Sequence, residues 1–455
     1  MCELSLLAVS PSVYIQLALG FPFAALLLSI AVMPVAFPHA WHNHHGKVVI
    51  FWSVLGLTGL LGVEGIETTI VHVAHTMLDE YFPFLILIST LYIVSGGVLI
   101  KGHLHGSPLW NTSILALGSL LASFVGTVGA SMILIRPLIN ANIDRPRNIH
   151  VVIFFIFMVS NIGGSLSPLG DPPLFLGFLE GVSFFWTTTH LFSHTMIMLS
   201  ALLFAFYLLD KTIYKVDSKI HCAIDKTTHH ENIGIEGKVN FIFLTIAVTS
   251  VLISGLWEPG VSYKVLGAEL ALQDILRDAS LITVSLASLT MTKRDIRDRN
   301  HFTFAPIKEV GKLFAGIFVT MIPIIHQLQE GSEGIFAPLI ALTTDAQGKP
   351  IDAAFFWLTG LLSSFLDNAP TYLVFFNLAS GDPILLQGEL ASTLTAISAG
   401  AVFMGANTYI GNAPNLMVKA IAEERGIRMP SFLGYMLWSF SILTPLFVIL
   451  TVVFF

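Results

Sequence analysis

The sequence predicts an all-α polytopic membrane protein made of two inverted-topology repeats, each with five spans, one of them broken, and one re-entrant hairpin. Three observations carry this expectation. Hydrophobic residues fill 54% of the 455 positions and charged residues 11%, with a mean hydropathy of +0.79, whereas soluble domains carry roughly 25% charge. Apolar segments that approach the roughly 17–25 residues needed to cross a bilayer recur along the whole chain. Some of these segments are interrupted by glycine, proline and hydrogen-bonding side chains. Such backbone persists at membrane depth only where protein or a water-filled cavity satisfies its N–H and C=O groups.

Taken in order, spans are expected at about 12–35, 47–62, 81–100, 150–182 (broken), 189–209, 239–256, 271–291, 313–329, 391–425 (broken) and 432–454. The first lacks a basic leading region and a small-residue cleavage site, so it is expected to be a retained helix. Segments 108–139 and 352–379 are interrupted by SFVGTVGAS (Ser123 to Ser131) and SSFLDNAPT (Ser363 to Thr371) and read as re-entrant hairpins. The chain divides into a first transmembrane repeat (1–210), a polar cytoplasmic linker (211–238) and a second, inverted repeat (239–455).

The order of elements in the second half follows that in the first, and a few residues answer one another. Ser123-Phe124 matches Ser364-Phe365, and Asn161 matches Asn407, each asparagine followed at the same spacing by a proline, Pro168 or Pro414. Five full crossings plus a hairpin invert the second half relative to the first, an architecture common among secondary transporters.

Charge sidedness agrees. With both hairpins re-entrant, one side collects Lys47, Lys101, Arg136, Arg145, Arg147, the linker lysines and the basic groups of 293–312 and 425–428. The other side keeps only Lys264, Arg277 and Lys349. The positive-inside rule makes the first side cytoplasmic. The net charge of -7 says less than this distribution. Cys2 and Cys222 lie too far apart in sequence to imply a disulfide framework or a thiolate site. His39, His42, His44 and His45 read as an interfacial loop, and His221, His229 and His230 as part of the solvated linker. Glu64, Glu67, His72, His75, Glu330 and Glu333 read as solvated faces and loops.

The candidate site centres on NIGGSLSPLGDPP, Asn161 to Pro173. Gly163, Gly164 and Gly170 permit close backbone approach, while Pro168, Pro172 and Pro173 end one half-helix and start the next. Free carbonyls at a half-helix C-terminus suit a small cation, and the opposing N-terminus suits an anion or an ionised carboxylate. Asn161, Ser165, Ser167 and Asp171 add hard oxygens that suit Na+. Capping at the break is the alternative role for these side chains. The second broken span supplies Asn407, Thr408, Asn412 and Asn415. The second hairpin supplies Ser364, Asp367, Asn368 and Thr371, and the first supplies Ser123 and Thr127. An ionisable group inside the membrane is a functional hypothesis by default, and capping of the hairpin turn is the alternative for Asp367. Lys419 is a charge partner for Asp171, Asp367 or a substrate carboxylate, whereas Arg136 is expected to snorkel to the interface.

At these residues the chain resembles the ion transporter superfamily, which groups NhaD-type Na+/H+ antiporters, arsenite permease-like proteins and citrate and dicarboxylate transporters. Asn161-Ile162-Gly163-Gly164 with Ser167-Pro168-Leu169-Gly170-Asp171, and Ser364 with Asp367-Asn368-Ala369-Pro370, resemble the NhaD-type patterns. The resemblance implies paired hairpins, Na+ held at Asn161, Asp171, Asp367 and Asn407, proton handling by the two aspartates, and a homodimer. The second broken span departs from that pattern. Ser160-Asn161 and Asn407-Thr408 are instead similar to fragments of the motifs by which dicarboxylate transporters hold Na+ and carboxylates, and the chain is also similar to a citrate transporter-like bacterial branch. The function expected is secondary active transport by alternating access, either Na+/H+ antiport or Na+- or H+-coupled citrate or dicarboxylate transport. The setting expected is a bacterial cytoplasmic (inner) membrane. Na+, H+, a small organic anion and the lipid bilayer are the expected partners, with no nucleic acid and no cofactor. No enzymatic activity is expected, because no nucleophile–base pair or zinc-protease motif is present.

Overall fold

The computed structural model describes residues 11–102, 106–221, 234–330 and 334–455. Cys2, Cys222, His229, His230 and Glu333 lie outside these residues, as do the side chains of His42 and His221. The chain is helical almost throughout. Its elements are α1 (Pro11–Ala36), α2 (Pro38–Glu64), α3 (Ile66–His75), a π-helical stretch (Thr76–Tyr81), α4 (Phe82–Ser95), β1 (Leu99–Lys101), α5 (Pro108–Val125), α6 (Thr127–Ala141), α7 (Ile149–Met158), α8 (Pro172–Leu179) and α9 (Trp186–His221). There follow β2 (Gly234–Glu236), α10 (Val239–Leu256), β3 (Ser262–Val265), β4 (Ala268–Ala271), α11 (Leu272–Met291), α12 (Arg294–Arg299), α13 (Ala305–Gln329) and α14 (Ala337–Thr343). The last are α15 (Asp352–Phe365), α16 (Asn368–Ala379), α17 (Pro383–Gln387), α18 (Ala391–Met404), α19 (Ala413–Glu424) and α20 (Phe432–Phe454).

Among the described residues, nine helical segments are long and apolar enough to cross a membrane, which makes this a polytopic all-α membrane protein. Two expected spans fall short of that measure. Leu272–Met291 carries Asp274, Arg277 and Asp278 in its first turns, and Ala391–Met404 ends after 14 residues at Gly405. Conversely, the span expected from residue 81 starts at Ile66, because helix runs on from α3 through the π-helical stretch into α4. The histidines expected in an interfacial loop stand on α2 instead, because Pro38, at its first position, is preorganised for helix.

The two broken elements form the centre. All but the first residue of α7 are buried, and so are all but the first two of α18, as expected for helices apolar on every face. Around them, α1, α2, α10 and α20 turn large apolar side chains outward, among them Leu28, Ile50, Ile242 and Val452. Exposed hydrocarbon on this scale is the surface a bilayer covers. Both interrupted segments fold back on themselves, α5 against α6 and α15 against α16. The first break falls at Gly126, with φ +79°, and the second at Leu366-Asp367.

The basic end of the bundle is tied by small polar devices that hydropathy did not foretell. Antiparallel β1 and β2 pair, Lys101 bridges Glu236 at 2.7 Å, and Arg299 bonds the same glutamate and Asp295. Residues 211–221, expected within the linker, continue α9 as helix, and 234–236 form β2. At the opposite end, the β3–β4 hairpin carries Lys264 paired with Glu269, and buried Arg277 binds Asp274 and Asp278 at 2.7 and 2.8 Å.

Candidate functional site

Four helices begin at the centre of the bundle: α6 at Thr127, α8 at Pro172, α16 at Asn368 and α19 at Ala413. One carboxylate joins them. Asp171, 1% exposed, accepts hydrogen bonds from Thr127 Oγ1 at 2.9 Å, Asn412 Nδ2 at 3.0 Å and Asn368 Nδ2 at 2.5 Å. Asp171 holds the N-cap position of α8, yet its side chain makes no capping bond. The alternative of simple capping is therefore not what its carboxylate does. Helix N-termini carry partial positive charge, and here three donors converge on one carboxylate.

A second ring of amides orders the first. Asn412 Nδ2 also reaches Asn161 Oδ1 and Ser160 O, both at 3.2 Å. Asn161 Nδ2 donates to Asn415 Oδ1 at 2.8 Å and to Ile156 O at 2.7 Å. Asn415 Nδ2 in turn bonds Gly405 O and Thr408 O. Asn161, Asn412 and Asn415 thus join the broken spans of both halves.

The loops that make these breaks repeat one construction. In the first, Ser167 donates to Ser123 O and its Oγ accepts from Leu169 N at 3.2 Å. In the second, Thr408 donates to Ser364 O at 2.5 Å and its Oγ1 accepts from Ile410 N at 3.2 Å. Gly164 packs on Gly170 as Gly405 packs on Gly411. The structural register therefore pairs Asp171 with Asn412 and Pro173 with Pro414, not Asn161 with Asn407 as the equal spacing to proline had indicated. The polar residues aligned by that spacing serve different bonds. Asn407 Nδ2 bonds Ser364 Oγ at 2.9 Å, and Asn407 O accepts from Ser439.

A Cβ on Gly170 would overlap the carbonyl of Gly164, and one on Gly164 would meet Thr127 and Gly170. The atoms nearest that Cβ are all Gly164 backbone, so nothing can rotate away. Gly170→Ala is expected to lower the yield of folded protein sharply while Gly62→Ala, with open space around it, does not; fluorescence-detected gel filtration of the two variants checks this.

The other expected site residues are dispersed. Asp367 is half-buried and caps α16 through Ala369 N at 3.2 Å, the turn-capping role. Thr371 bonds Asp367 O. Ser165 bonds Ile162 O and Thr195, a partner the sequence did not point to. Ser123 closes the first loop through Gly163 O. Lys419 reaches neither aspartate. It pairs with Glu423 at 2.9 Å and lies over Tyr409, because the i,i+4 spacing on α19 places the glutamate beside it. Of the four residues expected to hold Na+, Asn161 and Asp171 share the donor Asn412, while Asp367 and Asn407 are hydrogen-bonded elsewhere.

Two features of the site were not legible beforehand. Asn368 Oδ1 and Asn407 Oδ1 are buried acceptors with no hydrogen-bond partner among the described residues. Arg136, expected to snorkel, is 6% exposed, and its Nε and Nη1 have no partner there either. It is held inside because α6 packs against α4 and α19.

A broken-helix core with one caged carboxylate inside a polytopic bundle is the constitution of a secondary transporter. The chain belongs to the family described as "Putative citrate transport", whose profile matches residues 12–455. That family is a class of transporters, not of enzymes. No curated protein matches the chain.

Proposed function

We propose that the chain is a Na+/H+ antiporter in which Asp171 takes Na+ and H+ in turn. The observation that carries this reading is the polarity of what is left unpaired at the centre. Asn368, which donates to Asp171, presents an orphan acceptor oxygen, Asp171 supplies negative charge, and among the described residues no Lys or Arg hydrogen-bonds to the cage. Hard oxygens with a carboxylate suit a small hard cation. Proton and Na+ then compete for one group, so each leaves as the other binds. The recurrence of the Ser123–Ser167 construction at Ser364–Thr408 supports two inverted-topology repeats with re-entrant hairpins. The hairpins open to opposite faces in this reading. A bacterial inner membrane is the setting proposed, and a homodimer the assembly.

Citrate or dicarboxylate transport coupled to Na+ or H+ is the second reading. The family's description and Arg136, whose buried Nε and Nη1 have no partner among the described residues, favour it, since buried N–H donors without partners match a carboxylate.

Sealed liposomes with an internal pH dye separate the two. Antiport predicts proton movement on a Na+ pulse with no organic anion present. Silence to Na+ alone, with radiolabelled citrate accumulating under a Na+ or H+ gradient, would replace antiport with the second reading.

A further inference from the structure

At the basic-poor end of the bundle, Glu64, His72 and His326 meet from three separate helices, α2, α3 and α13. Glu64 is the last residue of α2. Gly65, at φ +81°, turns the chain there so that α3 starts at once and returns His72 to the same carboxylate. Glu64 Oε2 lies 2.9 Å from His72 Nδ1, and Glu64 Oε1 lies 3.2 Å from His326 Nδ1. The two imidazoles stand edge to face, with centroids 4.5 Å apart. One ligand atom from each residue lies within 4.8 Å of the other two.

We propose that these three side chains form a site for a borderline divalent transition ion, of which Zn2+ is the probe. Two imidazoles and one carboxylate are a donor set for such ions and not for Mg2+ or Ca2+, which take oxygen shells. A tetrahedral zinc with bonds of about 2.0–2.1 Å sets its ligand atoms about 3.3 Å apart. The two carboxylate–imidazole separations already lie close to that spacing, so mainly the two histidines must draw together. Side-chain exposures of 20% for Glu64, 32% for His72 and 39% for His326 leave the cluster open at the surface of the bundle, with room for a fourth ligand. In the metal-free state the carboxylate accepts from both rings. On binding, the Nδ1 protons are displaced, and each ring can carry its proton on Nε2. Occupancy would fasten the end of α13 to the junction of α2 and α3.

Zn2+ titration of the purified full chain against a chromophoric chelator tests this, with His72→Gln, His326→Gln and Glu64→Gln as variants. Glutamine keeps a donor for Glu64 in the first two, and gel filtration confirms that each variant is folded. The expected result is one tight equivalent in the unmodified chain, weakened at least tenfold in all three variants, together with a Zn2+-dependent rise in Tm that all three lose. The other histidine-rich segments would contribute equally to every protein. Unchanged affinity and stoichiometry in the three folded variants, or a loss confined to one of them, would overturn the site. This result is independent of what the protein transports.

Discussion

Asp171→Asn is expected to reduce Na+-driven proton movement at least a hundredfold while leaving the protein folded. The carboxylate receives three donors, and hydrogen bonds to a charged group contribute about 1.5–3 kcal/mol each. An amide at this position has one acceptor oxygen, and its NH2 would face Asn368, Asn412 or Thr127. Asn368, whose Oδ1 has no partner among the described residues, can turn its amide to present oxygen, which spares the fold. What cannot be replaced is the negative charge. Loss of about 3 kcal/mol of cation affinity corresponds to roughly two decades. The measurement is the initial rate of dye response in liposomes, with gel filtration as the control for folding. Activity within threefold of the unmodified protein would remove Asp171 as the carrier and move that role to another group.

Asp367→Asn makes the contrast informative. Asparagine is as good an N-cap as aspartate, so the bond to Ala369 survives and only charge is lost. Two separate roles are then distinguishable: an inactive Asp367→Asn assigns transport to both carboxylates, and an active one leaves Asp367 as the cap of α16.

Much of this organisation was legible in the sequence because the membrane makes interruptions conspicuous. Glycine, proline and asparagine in Asn161–Pro173 and Gly405–Asn415 have no cheap explanation within an apolar run, and the structure breaks both spans there. Thr127, Asn368 and Asn412 were legible as candidates but not as one cage, since their convergence depends on helix N-termini meeting from four elements. The register between the halves was misread for a related reason. Asn161 and Asn407 look alike in sequence, whereas the structure conserves a hydroxyl-to-backbone bond that either serine or threonine can make. Arg136, Glu64 and His72 read as interfacial or solvated, and His326 did not stand out, because packing by a helix distant in sequence leaves no local trace.

A large stability effect is also expected away from the cage, at Asp210. This residue is fully buried and accepts from Arg145 Nη2 at 2.5 Å, His150 Nε2 at 2.9 Å and Asn111 Nδ2 at 2.9 Å. Arg145 also lies 3.8 Å from Asp217, and Asn111 is locked to Asn142 by reciprocal amide bonds. The network joins α5, α7, the end of α6 and α9 at the basic end of the bundle. Removing one partner of a buried ion pair costs about 3–5 kcal/mol, because the remaining charge stays buried without compensation. Asp210→Ala is therefore expected to lower the thermal midpoint in detergent far more than Asp217→Ala, which leaves the tighter Arg145–Asp210 bond in place. Arg145→Met in the Asp210→Ala background removes the stranded guanidinium and should recover part of the loss. Equal midpoints for the two aspartate variants would mean that Asp210 does not hold this end together.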